Sequence, residues 1–406
     1  MDPNFNYEVI NSIVSRVMAI EDTTLGTEKQ GYIVRYRGRI LNPDTSAAYD
    51  TLSDQLKSQN LTPLFRWDGG RHSILIVNGM PEVSKSDPRI NLGLGFLTII
   101  SVLYAGSAYV TPGMTDDLFQ NISIILGRGL PYFIESGWPF AVSMLAILAA
   151  HEFGHYLAGR HHGANVTLPY FIPMPFSPFG TMGAFINMKA PPKNRRILLD
   201  IGIAGPLAGL VVAIPVLFIG LYLSNVSQIV VPQGMQMSLE GNSILYLLAK
   251  YITFGHLLPE PASFAGVSPV LYWIRYFFTG QPLPLGALDV NLSPVAWAGW
   301  AGLLVTAMNL VPAGQLDGGH MLYVLLGREK AQKTFPFVVG ALLLLSIAWL
   351  GWLLWAALIF LFGRVYAEPL DQVTPLDTRR KWLAVLALVI FLLVFTPIPL
   401  GVMVGG

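Results

Sequence analysis

The chain has 406 residues, of which 53% are hydrophobic and 12% are charged, and its formal net charge is +1. A soluble domain usually carries about twice that charged fraction, and the near-zero net charge argues against nucleic acid as a partner. The absence of cysteine excludes disulfide bonds, thiolate zinc sites and iron–sulfur clusters. Several apolar stretches of about 20 residues predict an all-α polytopic membrane protein, with about six to eight transmembrane helices in a lipid bilayer.

The first 88 residues are polar and predict a small α+β domain that precedes the membrane helices. A strand is predicted in GYIVRYRGRIL (31–41) and a helix in DTSAAYDTLSDQLKSQ (44–59). LTPLFRWDG and RHSILIVNG then predict a hairpin, and this order suggests half of a ferredoxin-like fold. The start of the chain lacks signal-peptide and transit-peptide features, which favours a bacterial or archaeal plasma membrane protein.

Six apolar regions are predicted to enter or cross the membrane. They lie near 91–110, 139–159, 197–223, 295–312, 335–362 and 382–404. The region 335–362 is long for one helix, and we favour a hairpin bent near Gly351, which keeps the following basic residues on the cytoplasmic side. The short apolar segments 242–257 and 268–278 are interpreted as interfacial helices, a re-entrant pair or one further span.

The distribution of lysine and arginine between the loops predicts the orientation. The segment 160–196 has five basic residues and no acidic residue, whereas 224–294 has two basic and three acidic residues. We therefore expect 160–196 to be cytoplasmic and 224–294 to be external. The N-terminal domain is then cytoplasmic, and 111–138 is an external loop.

An unusual cluster of ionisable residues lies in the apolar segment ILAAHEFGHYLAG, residues 147–159. A charged residue within a span costs about 2.5–3.5 kcal/mol even on a lenient scale, so a functional site is favoured over a structural one. On a helix, His151 and His155 project from one face, at a spacing that lets two imidazoles share one zinc ion. Glu152 lies beside them and could act as general base towards a water molecule.

A catalytic zinc ion needs a third protein ligand, because its fourth position must stay open. The segment MNLVPAGQLDGGH, residues 308–320, ends another predicted span, and glycines follow its Asp317. By length along their helices, His151 and Asp317 reach a similar depth in the membrane. His320 is a rival ligand, although its interpretation as a polar residue that begins the next helix is favoured.

Together, HEFGH and NLVPAGQLDGG resemble the two signature motifs of the site-2 protease family of intramembrane zinc metalloproteases. GIAGPLAGL (202–210) is similar to the glycine-rich third core helix of that family. The N-terminal domain and DPRINLGLGFLTII look like the chloroplast gravitropism-type branch and its bacterial relatives.

The resemblance implies one Zn²⁺ per chain, held by His151, His155 and Asp317. It also implies Glu152 as general base and Asn309 as a donor to the substrate backbone or the oxyanion. The chain would then divide into four parts: a cytoplasmic α+β domain of unknown role (1–88), a first span with an external loop (89–138), a catalytic membrane core (139–325) and C-terminal transmembrane helices (326–406).

The segment NVTLPYFIPMPFSPFGTMGAFINM (165–188) bears no charge and lacks helical periodicity. Its prolines, aromatic residues and strand formers predict a loop and hairpin that dip into the membrane beside the site. An exposed strand edge there could hold an unwound substrate by β-addition. An ordinary interfacial loop is the alternative interpretation.

The sequence thus predicts an intramembrane zinc endopeptidase that cleaves transmembrane segments of protein substrates near the cytoplasmic side. A metal-ion transporter and a non-proteolytic membrane chaperone are the alternatives. The transporter would need polar groups across the whole membrane, and the chaperone usually has a damaged motif. The substrate, the activating signal, the role of residues 1–88 and the oligomeric state are left open by the sequence.

Overall fold

A computed structural model describes residues 6–27, 30–79, 87–115, 117–231, 233, 236–264, 266–282, 284, 286–364 and 366–404. The N-terminal part comprises α1 (Tyr7–Ser15), β1 (Met18–Leu25), β2 (Val34–Ile40), α2 (Thr45–Lys57), β3 (Leu61–Asp68) and β4 (Arg71–Asn78). The four strands form one antiparallel sheet in the order β1-β2-β4-β3. In this order β2, α2 and β3 form a crossover with β4 between the two strands, as in half of a ferredoxin-like fold.

The strand, the helix and the hairpin that the sequence predicts in this part correspond to β2, α2, β3 and β4. The sequence analysis missed α1 and β1. Strand β1 forms an edge of the sheet, and most of its side chains are exposed, so its sequence lacks the alternation of a half-buried strand. That this part folds as a separate cytoplasmic domain stays a prediction.

The rest of the chain is mainly helical. It continues with α3 (Pro88–Val110), α4 (Leu118–Gly127), α5 (Leu130–His161), β5 (Tyr170–Pro173), β6 (Thr181–Phe185) and α6 (Arg195–Tyr222). Then follow β7 (Asn225–Gln228), β8 (Gln236–Glu240), α7 (Ile244–Phe254), α8 (Pro269–Thr279), β9 (Leu288–Asn291), α9 (Pro294–Asn309), α10 (Asp317–Leu326), α11 (Arg328–Leu345), α12 (Gly351–Phe362), α13 (Thr378–Val394) and β10 (Leu400–Val404).

Three of the described helices, α3, α5 and α6, are long and apolar enough to cross a membrane. Helix α9 has 16 residues and is therefore about 24 Å long, slightly less than the hydrocarbon thickness of about 30 Å. The chain is thus a membrane protein with several membrane-type helices, and the predicted total of six to eight spans stays a prediction.

Two predicted boundaries are wrong. The expected external loop 111–138 contains α4 and the beginning of α5, because Pro139 lies inside α5 without ending it; prolines are tolerated within membrane helices. The expected last span, 382–404, ends as a helix at Val394. Two prolines in the segment TPIPL then end the helix, and β10 pairs with β8.

The predicted hairpin in the region 335–362 is confirmed, since α11 and α12 are separate helices in contact with each other. Helices α7 and α8 have 11 residues each and are about 16 Å long, so neither crosses a bilayer alone. Their interfacial or re-entrant placement stays a prediction.

The membrane core is built on α5, α6 and α9, which pack against each other, while α3 packs along α5. Its buried side chains are apolar, and include Phe140 and Met144 from α5, Leu217 from α6 and Trp300 from α9. The hairpin of β5 and β6 lies beside this bundle, with β5 against α3.

A segment of residues 368–376, here called the strap, joins the N-terminal sheet to the membrane core. The Phe65 N–H in β3 donates to the Leu370 carbonyl at 3.0 Å, and the Gln372 N–H donates to the Phe65 carbonyl at 3.0 Å. On the other side of the strap, the Asp371 N–H donates to the Lys193 carbonyl at 2.8 Å, just before α6. The strap therefore extends the sheet at its β3 edge and attaches it to the entry of α6.

Candidate metal centre

Helix α5 presents His151 and His155 on one face, one turn apart, as the sequence predicts. Both side chains are buried, with 4% and 7% of their surface exposed, and Glu152 between them is 4% exposed. Three buried ionisable side chains on one membrane-type helix need a compensating partner.

The partner comes from the turn between α9 and α10. Helix α9 ends at Asn309, and the chain turns through Gly314, which has a φ of +57°. The turn is tight, because a Cβ atom on Gly318 would lie only 1.9 Å from the carbonyl oxygen of Leu310. This packing places Asp317, the first residue of α10, opposite the two histidines.

The three side chains meet with the spacing of a metal site. The Nε2 atoms of His151 and His155 are 3.2 Å apart, and they lie 3.4 and 3.3 Å from Asp317 Oδ2. Donor atoms bound to a tetrahedral zinc ion at about 2.0–2.1 Å lie about 3.3–3.4 Å from each other. The observed donor separations therefore fit one zinc ion.

The proton positions also favour a cation between the three atoms. His155 Nδ1 lies 2.7 Å from the carbonyl oxygen of Ile201, and because a carbonyl only accepts, this nitrogen carries the proton. A neutral His155 ring then directs the lone pair of Nε2 towards Asp317 and His151. Lone pairs that converge in a buried site repel each other unless a proton or a metal cation lies between them, and a hydrogen bond from Nδ1 to a backbone carbonyl is the contact that commonly orients a metal-bound histidine.

The glycines of α6 make room for the two imidazole rings. A Cβ atom on Gly205 would lie 2.1 Å from His155 Nε2, and one on Gly209 would lie 3.2 Å from His151 Nδ1. From the other helix, a Cβ atom on Gly154 would lie 2.6 Å from the Ala204 carbonyl oxygen. Helices α5 and α6 thus both need glycine where they meet, so that the two imidazole rings fit between them.

Glu152 and Asn309 complete the site. Glu152 Oε2 is buried and has no hydrogen-bond partner among the described residues, which leaves that oxygen available to a ligand. The Asn309 amide nitrogen, Nδ2, lies 3.4 Å from His151 Nε2. All five predicted site residues therefore come together in space.

His320, the rival ligand, lies near the site but outside the group of converging donors. It is buried, and its Nδ1 atom has no partner in the described part of the chain. The atoms that lie within 4.8 Å of one another belong to His151, His155 and Asp317. The geometry thus favours Asp317 over His320 as the third ligand.

A cavity of about 500 Å³ opens onto these residues. Its walls include the site residues themselves, the end of β6 with the following segment 186–192, and Ala367 with Glu368, the first residue of the strap. The predicted hairpin in 165–188 is present as β5 and β6, and the segment after it forms one wall of the cavity.

The family follows from a comparison of the whole chain with known proteins. The model described as "Peptidase family M50" matches residues 139–348, about half of the chain and nearly the predicted core 139–325. This chain belongs to peptidase family M50. Membership confirms the resemblance to the site-2 proteases, and with the His151, His155 and Asp317 donor set it implies zinc.

Several curated plant proteins are similar in sequence to this chain. "Probable zinc metalloprotease EGY1, chloroplastic" of Oryza sativa subsp. japonica is 30% identical over 79% of this chain and 52% of its own length. EGY1 of Arabidopsis thaliana is 29% identical over 66% of this chain and 44% of its own length. EGY2 of Arabidopsis thaliana is 28% identical over 71% of this chain and 46% of its own length. No solved structure matches this chain.

The chain spans about half the length of these relatives. Their names place them in chloroplasts, whereas the sequence analysis favours a prokaryotic plasma membrane. The membrane in which this M50 protein resides therefore stays a prediction, as does the cytoplasmic orientation of its N-terminal part.

The sequence analysis did not predict two contributors to the site from the residues alone, namely the Ile201 carbonyl and the space left by the α6 glycines. It did not predict the Ile201 carbonyl that orients His155, because a backbone acceptor leaves no mark on residue type. It noted the glycines of α6 only through the family resemblance. Their spacing at 202, 205 and 209 follows one helical face, which is the available signal of a close helix contact.

We expect Gly205→Ala to abolish zinc binding in the purified protein. The added Cβ would overlap the His155 ring and push Nε2 away from the other donors. Zinc content by atomic emission is the measurement, and Gly95→Ala is the control, because a Cβ there meets nothing within 4 Å. Equal zinc content in Gly205→Ala and wild type would contradict the role of this glycine.

A second pair of variants distinguishes the two candidate third ligands. Asp317→Asn removes the anionic donor and is expected to lower zinc affinity at least tenfold, in line with the loss of one of three ligands. His320→Ala is expected to keep the zinc content of the wild type. If the two results are reversed in a chelator titration, His320 is the ligand.

Proposed function

We propose that this M50 protein is a zinc endopeptidase that hydrolyses peptide bonds in transmembrane segments of membrane-protein substrates, near their cytoplasmic end. The observation that supports it most strongly is the convergence of His151, His155 and Asp317 within the membrane core. Beside them lies Glu152, whose Oε2 has no hydrogen-bond partner among the described residues. The cavity of about 500 Å³ that opens onto these residues would give the site access to water and to a peptide.

Each residue has a defined part in the proposed reaction. His151, His155 and Asp317 hold the zinc ion, which when bound acts as a Lewis acid that activates water and polarises the scissile carbonyl. Glu152 accepts a proton from the attacking water and passes it to the nitrogen of the breaking C–N bond. Asn309 donates a hydrogen bond to the carbonyl oxygen as negative charge develops on it.

The segment after β6 is proposed to bind the substrate backbone. The Thr167 N–H donates to the Asn187 carbonyl at 3.1 Å, and the Lys189 N–H donates to the Asn165 carbonyl at 2.9 Å. Because backbone groups of an extended strand point alternately to its two sides, those of Ile186 and Met188 point away from this pairing. Both residues line the cavity, so an unwound substrate could add there as a further strand.

The apolar packing beyond the site argues against a metal-ion transporter. A permeation path would need polar groups along the bundle. The buried cluster between α5, α6 and α9 instead consists of apolar side chains such as Phe140, Met144 and Ile147. This packing supports a catalytic role of the proposed zinc site rather than a transport role.

Glu152→Gln is expected to lower cleavage of a membrane substrate about 10²–10⁴-fold, because the amide cannot accept the proton of water. Zinc content should stay at the wild-type level, since Glu152 is not among the three converging donors. The matched control is Glu135→Gln, an exposed residue on the same helix. Cleavage of a transmembrane peptide in detergent, with and without chelator, is the measurement, and normal cleavage by Glu152→Gln would refute the mechanism.

Ile186→Pro is expected to lower kcat/KM about 2- to 12-fold through a higher KM, the effect of losing one hydrogen bond of about 0.5–1.5 kcal/mol. Proline removes the N–H that points to the open edge, whereas Ile186→Val keeps it and serves as control. Zinc content is measured in parallel to separate substrate binding from damage to the site. An unchanged KM would argue against β-addition at this edge.

A further inference from the structure

A second cavity, which shares no lining residue with the catalytic cavity, lies along the hairpin of α11 and α12. This groove encloses about 480 Å³. Its α11 wall consists of residues on one helical face, namely Gln332, Phe335, Pro336, Val339, Gly340 and Leu343. Phe360, Arg364 and Tyr366 form the other wall. From 332 to 343 the groove follows the helix for about 16 Å.

The surface around the groove is strongly apolar and exposed. Phe337 is 78% exposed, Leu344 69% and Leu361 67%. In a membrane protein, exposed side chains of this kind face the hydrocarbon of the bilayer. With α11 and α12 placed in the membrane, as the sequence predicts, the groove would open towards lipid rather than towards water.

A cation lies at one end of this apolar groove. The guanidinium of Arg364 lies over two aromatic rings, 5.5 Å from the centre of Phe335 and 4.9 Å from that of Phe360. No carboxylate of the described residues forms an ion pair with it, whereas nearby Arg328 and Lys333 pair with Glu368 and Glu329. Stacking on rings leaves the N–H groups at the guanidinium edge free to bind an anion.

The floor of the groove is open because Gly340 has no side chain. A Cβ atom built on this glycine meets no heavy atom within 4 Å. Glycine in a helix costs about 1 kcal/mol relative to alanine, and no neighbour here requires it for close packing. A larger side chain at this position would project into the open groove.

We propose that the groove binds one anionic phospholipid, with an acyl chain along α11 and the phosphate at Arg364. An apolar chain gains little on moving from bilayer to groove, because both surroundings are hydrocarbon. The preference for one lipid over others therefore comes from the head group. A guanidinium binds phosphate through paired hydrogen bonds, and a head group with net negative charge lacks the ammonium that would oppose it.

The dimensions favour an acyl chain over a protein helix. A helix is about 10 Å in diameter, whereas the notch at Gly340 is only the space left by one missing side chain. A single acyl chain is narrow enough to follow the notch at Gly340. A substrate helix or a second copy of the chain is thus a poorer occupant.

The position of the site connects it to the catalytic cavity. The Tyr366 hydroxyl donates to the Ala331 carbonyl at 3.1 Å, which fixes the end of the groove. The next residues along the chain, Ala367 and Glu368, line the catalytic cavity. One end of the groove and one wall of the catalytic cavity are therefore formed by consecutive residues of the chain.

The test uses the full-length protein in nanodiscs that contain equal amounts of phosphatidylglycerol and phosphatidylcholine with identical acyl chains. Native mass spectrometry then counts the lipids that remain on the released protein. We expect one retained phosphatidylglycerol, enriched about fivefold over phosphatidylcholine, the factor typical of one basic residue near anionic lipid. The measurement does not depend on proteolysis.

Two variants separate head-group and chain binding. Arg364→Gln should retain lipid without the preference for phosphatidylglycerol, and Gly340→Leu should lose the retained lipid. The controls Arg379→Gln and Gly93→Leu change an exposed arginine on α13 and an open glycine on α3, and both should behave as wild type. Retention of the two lipids in equal amounts by the wild type, or undiminished preference in Arg364→Gln, overturns the proposal. A dimer that Gly340→Leu dissociates would assign the groove to a second copy and overturn it as well.

Discussion

The Nε2 atoms of His151 and His155 and one carboxylate oxygen of Asp317 lie within 3.4 Å of each other in a buried part of the membrane core. When all three atoms are unprotonated, their contact is unfavourable without a cation, and one metal cation at that point would satisfy all three at once. The surrounding structure serves this requirement. The Ile201 carbonyl fixes the His155 tautomer, and Gly205 on α6 leaves the space that the ring occupies.

The close approach of α5 and α6 has a consequence for the rest of the bundle. Glycines at the contact let the two helices pack closely with the imidazole rings between them. Larger apolar side chains fill the rest of the core between α5, α6 and α9. Asp317 comes from a third helix, so a metal ion bound at this site would join α5 and α10. In the proposed enzyme, zinc binding would therefore also stabilise the packing of the core.

The strap gives the N-terminal sheet a physical connection to the site. It pairs with Phe65 of β3 on one side and with the segment before α6 on the other, and Asp371 between them is fully buried. The strap begins at Glu368, and this residue and the segment before α6 both contribute to the cavity wall. Movement of the sheet would thus reach the cavity through backbone hydrogen bonds rather than through a flexible linker.

The sequence by itself predicted the membrane class, the elements α2, β2, β3 and β4, and the residues of the candidate zinc site, with Asp317 favoured over its rival His320 as the third ligand. Each of these depends on local features: apolar length, alternation, turn residues and the fixed i, i+4 spacing of His151 and His155 on a helix. Asp317 could be predicted because few acids lie near a span and one follows a glycine-rich helix break.

The tertiary structure decided what depends on contacts between distant segments. Backbone hydrogen bonds and packing between distant segments do not constrain residue type locally. They decide the course of α5 through Pro139, the pairing of β10 with β8 and the addition of the strap to β3. The same is true of the choice of Asp317 over His320. They are three residues apart in sequence, and only the turn at Gly318 determines which of them meets the histidines.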